Sequence, residues 1–182
     1  MRTVVQLSVV ALVFTFSFIV GPGAVAQEGP PPSPDASVGQ VLGGELNISI
    51  TYSRPGVKGR EIWGAIVPYD KTWRAGANAP TTVTFSHDVS LNGESLDAGS
   101  YTLLITPKKD GEWVIHFIKP GEGEDEESTE ALTLEVEAEE VAHQEWLVYG
   151  FDELQPPSGP AVANAFMQWE KKKVSFKIAL DK

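Results

Sequence analysis

The chain of 182 residues contains no cysteine, which excludes disulfides, a thiolate nucleophile, thiolate metal ligands and the acylated cysteine of a lipoprotein. Histidine occurs three times. His87, His116 and His143 show neither H-x-H nor H-E-x-x-H spacing, so no metal and no other cofactor is expected. His87, between Phe85 and Val89 on an apolar face, reads as a half-buried core histidine. The G-x-S-x-G elbow, the phosphate-binding Walker loop and the Rossmann glycine pattern are all missing, so no standard catalytic signature is present. Basic residues are scarce as well: 14 Lys and Arg stand against 25 Asp and Glu, a formal net charge of −11. That balance argues against nucleic acid or an anionic lipid surface as the main partner, because both require a basic face.

What the chain does have begins at its N-terminus. Met1 and Arg2 give a short positive start, Val4 to Val20 is almost wholly apolar, and Ala24-Val25-Ala26 places small residues at a cleavage spacing. Residues 1–26 are read as a signal peptide, and an uncleaved anchor is the competing reading. Cleavage would remove Arg2 and no acid, leaving 156 residues with a formal net charge of −12. The expectation is an exported protein, periplasmic or extracellular, with no membrane insertion after signal cleavage. Residues 27–35 open with QEGPPPSP, four prolines and no apolar side chain, a semi-extended linker. Residues 36–182 are long enough for one domain with its own core.

Within that domain the dominant period is two. In ELNISITYS, Leu46, Ile48, Ile50 and Tyr52 alternate with polar residues, and TTVTFSHDVS alternates likewise, so both read as half-buried strands. Asn92-Gly93 between VSL and ESL is the pair that tolerates positive φ at both central positions of a tight hairpin. SYTLLIT and EWVIHFIK, apolar on both faces and joined by Lys108-Lys109-Asp110-Gly111, read as central strands. LTLEVEAE, EWLVYGF, ANAFMQWE and VSFKIAL bring the count to eight to ten, the last two joined at Lys171 to Lys173. The expected fold class is all-β, an antiparallel β-sandwich with a jelly roll or barrel-like closure as the alternative. Trp113, Trp146 and Trp169 fall inside these strands, where burial is the default for a large aromatic.

One segment breaks the pattern. Between Ser53 and Asn78, SRPGVKGREIWG and PYDKTWRAGAN set Arg54, Lys58, Arg60, Lys71 and Arg74 around Trp63, Tyr69 and Trp73. Guanidinium forks suit carboxylates, phosphates and aromatic faces, and glycine allows close approach. Arg54, Lys58, Arg60, Trp73, Arg74 and Asn78 are therefore the candidate ligand-binding residues. An equally concrete reading has the arginines bonding the carbonyls of an irregular loop and fixing it over one end of the sandwich.

YSRPGVKGREIWG, VPYDKTWRAGAN, TTVTFS, LNGESLDAGSYTL and MQWEKKKVSFKI, in that order across roughly Ala36 to Leu180, resemble the bacterial family called domain of unknown function 2911. The resemblance implies an exported β-sandwich-like protein and names no reaction, cofactor or substrate. It is loosest over PGEGEDEESTEALTLEVEAEE, whose ten acids stand without a Lys or Arg and without the oxygen-ligand spacing of a calcium loop. A solvated hairpin tip is the reading preferred there.

The function expected from these residues is non-catalytic binding of a small anionic ligand, a glycan or an envelope protein through the Arg/Trp segment. The alternative is a cell-envelope hydrolase using carboxylate or histidine catalysis, for which the sequence selects no residue.

Overall fold

The computed structural model describes residues 33–121, 127–154 and 161–181. The signal segment 1–26, most of the linker 27–35 and the acidic tip 122–126 lie outside those residues. Among the described residues there is no helix. Ten strands follow one another: β1 (Asp35–Leu42), β2 (Leu46–Ser53), β3 (Thr82–Phe85), β4 (Val89–Leu91), β5 (Glu94–Leu96), β6 (Gly99–Thr106), β7 (Trp113–Lys119), β8 (Thr129–Val136), β9 (Ala138–Asp152) and β10 (Val162–Leu180).

They form two antiparallel sheets, β1-β2-β3-β6-β7-β8 and β5-β4-β10-β9, which face each other without closing into a barrel. The alternation in β2 puts Leu46, Ile48, Ile50 and Tyr52 into the interior with exposed neighbours between them. As expected from their apolar faces, β6 and β7 lie inside the larger sheet. Asn92 (φ 51°) and Gly93 (φ 100°) make the tight turn that lets Leu91 pair with Glu94. Trp113, Trp169, Tyr101, Phe85 and Phe117 are the largest fully buried side chains, and Phe117 of β7 meets Phe176 of β10 edge-on at 5.5 Å across the interface. Burial of each such ring contributes on the order of 2–3 kcal/mol, so the sandwich needs no covalent staple.

Two sequence expectations change. TTVTFSHDVS is not one strand: β3 and β4 belong to different sheets, and the chain bends at Ser86–Asp88 to cross between them. His87 is consequently exposed, with Nδ1 2.8 Å from the Ser86 hydroxyl, and is no core histidine. ANAFMQWE and VSFKIAL, expected as two strands, are the single strand β10. Glu170 adopts φ 57° there, and the pairing with β9 shifts register on both sides of it. This bulge reverses the phase of the strand, so that Trp169 and then Val174 both point inward.

Candidate functional site

Residues 54–81, which join β2 to β3, form an excursion that pairs with both sheets. Near its start, the Val57 amide donates to the Glu145 carbonyl (2.8 Å) and the Leu147 amide to the Pro55 carbonyl (3.0 Å), so the excursion covers the free edge of β9. Near its end, Trp73 exchanges two main-chain bonds with Ile105 of β6, at 2.8 and 2.9 Å. Between these anchors Ile62, Trp63 and Val67 are buried. The Trp63 ring lies 4.7 Å from that of Trp113 and 5.8 Å from that of Trp169, and Trp73 stacks on Trp169 at 5.7 Å. Four of the five tryptophans thus form one cluster between the sheets, and Trp73 serves the core.

The candidate cations have partners within the protein. Arg54 donates from Nε to the Leu147 carbonyl at 2.9 Å. Arg60 donates from Nε to the Val57 carbonyl and from Nη2 to that of Gly56, at 3.1 and 2.6 Å. The Lys58 ammonium sits 5.6 Å from the centre of the Trp146 ring, and its amide donates to the Glu145 carboxylate at 2.8 Å. That hydrogen bond is the main cause holding the Glu145 carboxyl below the usual carboxylate range, with His143 contributing. Arg54, Lys58 and Arg60 therefore lie along the edge of β9.

Arg74 and Asn78 lie instead around a second feature, a turn at Ala75. Arg74 donates from Nη1 to the Asn78 carbonyl, and Asn78 donates from Nδ2 to the Ser33 carbonyl, both at 2.9 Å. Ala75 is fully buried with φ 55°, a left-handed conformation costly for a residue with a Cβ. Its carbonyl compensates by accepting the Tyr149 hydroxyl at 2.8 Å and that of Thr81 at 3.1 Å. Burial pushes the Tyr149 phenol well above its ordinary range. Gly76 follows because a Cβ there would stand 2.7 Å from the Thr81 hydroxyl.

A concavity adjoins the excursion where Tyr69 leaves the cluster. A cleft of about 500 Å³ lies between Tyr69, the β6–β7 turn at Lys108–Glu112, Trp113 and the β8–β9 junction, with Lys172 reaching in from β10. Gly64 (φ 91°) makes room for its wall, since a Cβ there would lie 2.8 Å from the Tyr69 ring. Lys108 is bridged to Asp70 at 2.9 Å. Among the described residues no hydrogen bond or ion pair holds the ammonium of Lys109 or of Lys172. Lys172 is half-buried because the Glu170 bulge turns it to the inward phase. Asp110, Glu112 and Glu137 also line the cleft.

Tyr69, Lys109 and Lys172 were not among the sequence candidates. Tyr69 stood inside the quoted segment, but no signal placed a bulge at Glu170. The histidines do not converge: His143 faces Glu145, His116 faces Glu130 and Thr106, and His87 faces Ser86. Among the described residues, no three His, Asp or Glu are grouped as a metal site.

Compared with known proteins, residues 33–178 match the family model described as "Protein of unknown function (DUF2911)". No curated protein and no solved structure matches the chain.

Proposed function

The chain belongs to this DUF2911 family, and we propose that it is an exported domain that binds a small anionic ligand in the cleft beside Tyr69. One observation carries this reading: Lys172 and Lys109 face a cleft of about 500 Å³ with no anion of the protein bonded to either among the described residues. A lysine ammonium that faces open volume with no carboxylate bonded to it can give its donors to a bound anion. The volume suits a ligand the size of one or two sugar rings, and Tyr69 gives it an aromatic wall. An acidic monosaccharide or a small carboxylate fits both features.

In this reading the excursion acts as a frame. Arg54, Lys58, Arg60, Arg74 and Asn78 fix its two ends, Trp73 seats it in the core, and Tyr69 is the part that meets the ligand. The signal-like residues 1–26 support export. The test is a thermal-shift and calorimetric titration of the chain with inorganic phosphate, citrate and glucuronate, with glucose as the neutral control. At least one anion is expected to raise the melting temperature, as a ligand that binds only the folded state must; at a hundredfold excess over Kd the gain is about 2.7 kcal/mol. Lys172→Met is expected to abolish the shift while leaving the fold intact. If no anion binds, or the Lys172 variant binds as well as the parent, the reading fails.

A further inference from the structure

A second group of side chains sits on the outer side of the larger sheet. Thr72 of the excursion stands beside Thr106 at the end of β6, their hydroxyl oxygens 3.0 Å apart. The Thr106 hydroxyl is 2.9 Å from His116 Nε2, and His116 Nδ1 is 2.5 Å from a Glu130 carboxylate oxygen. Thr106 is buried at 8% exposure, the His116 side chain is 18% exposed, and Thr72 is open to solvent.

The proton inventory gives this chain a direction. An ionised Glu130 can only accept, so Nδ1 of a neutral His116 carries the hydrogen and Nε2 is the acceptor. Thr106 must then donate to Nε2, which leaves its oxygen only lone pairs to offer. The Thr72 hydroxyl therefore donates to Thr106. Every proton points from Thr72 through Thr106 and His116 to Glu130, and the exposed end of the relay is an oxygen whose proton has a path to a base. A nucleophile, a base and a carboxylate that orients the base is the arrangement by which hydroxyl groups are activated for acyl transfer.

We infer that Thr72 is a nucleophile for acyl transfer from esters. Its oxygen forms the new bond to the acyl carbon; its proton moves to Thr106 as the Thr106 proton moves to His116 Nε2, and Glu130 holds the imidazolium. The ester C–O bond breaks, and the departing alcohol leaves with the proton from His116. Water bonded to Thr106 then gives its proton through Thr106 to His116 and attacks the acyl carbon; the bond from that carbon to the Thr72 oxygen breaks, the acid departs, and the proton returns from His116 through Thr106 to Thr72. The substrate class is a short acyl ester of a hydroxylated alcohol. Thr51, Thr82 and Thr102 stand in register on the same face of the sheet, offering hydroxyl groups to such an alcohol.

The experiment uses the chain with p-nitrophenyl acetate, following nitrophenolate release and locating the acetyl group by mass spectrometry of acid-quenched protein. The parent is expected to hydrolyse the ester and to trap acetyl on Thr72. Thr72→Ala and His116→Gln are each expected to lower the rate about 100-fold, the order of effect for a lost general base. Thr72→Ser should restore most of it, which a merely structural role for the threonine methyl would not allow. Thr106→Val should interrupt the relay with Thr72 still in place. Hydrolysis by Thr72→Ala at the parental rate, or acetyl found only on lysines, overturns the inference. If His116→Gln fails to fold, the Thr72 pair decides alone.

Discussion

The two flanks of the excursion carry similar charge and use it in opposite ways. Along the edge of β9, Arg54 and Arg60 direct their guanidinium groups into carbonyls of Leu147, Val57 and Gly56. On the cleft side, Lys109 and Lys172 face open volume. The difference follows from chemistry: the planar fork of arginine matches several carbonyls of an irregular backbone at once, whereas the compact ammonium of lysine does not organise such a loop. A cluster of cations in a sequence therefore marks a place where backbone needs partners as readily as one where a ligand does. Counting the partners separates the two.

The contrast can be broken by substitution. The largest effect is expected at the core anchor of the excursion: Trp73→Ala should cost about 3–5 kcal/mol in urea denaturation, because the stack on Trp169 and the contact with Trp63 are lost together. Next comes alkaline titration. The Tyr149 phenol is raised in the folded state, so its contribution is complete below the ordinary tyrosine value and lost as pH rises toward the folded one. Stability should fall above about pH 10 by up to about 1.4 kcal/mol per pH unit, and Tyr149→Phe should flatten that limb.

On the frame side, Arg54→Ala should destabilise by about 1.5–3 kcal/mol with anion affinity retained, since it removes a charged donor from the carbonyl of the buried Leu147. Gly64→Ala should cost about 1–2 kcal/mol, from its positive φ and the contact with Tyr69, and should also weaken anion binding, which sharpens the comparison by linking fold to cleft. The smallest stability change, within about 1 kcal/mol, is expected for Lys172→Met, which nonetheless abolishes binding. Were Arg54→Ala to lose the ligand while Lys172→Met kept it, the roles of the two flanks would be exchanged.

Much of the sandwich was legible because alternation is local. The faces of β2, the Asn92-Gly93 hairpin, the inner position of β6 and β7 and the special character of residues 54–78 could all be read from neighbours in the chain. What could not be read depended on distant partners. Arg54 bonds a carbonyl 93 residues away, and no spacing encodes that. TTVTFSHDVS keeps its alternation straight through Ser86–Asp88, so the period hides a change of sheet that only tertiary packing requires. The inward turn of Lys172 arises from a left-handed Glu170, a residue with no preference that would announce it. The sequence isolated the loop that frames the cleft and missed the lysines that face it, for this one reason.

The double pairing of the excursion has a mechanical consequence. Because its start, continuous with β2 of the larger sheet, is bonded to β9, and its end is bonded to β6, the two layers are tied by continuous main chain, and sliding one past the other would have to rupture the bonds at Val57 and Leu147. Amide hydrogens at Val57 and Trp73 should for that reason exchange with solvent only when the whole domain opens.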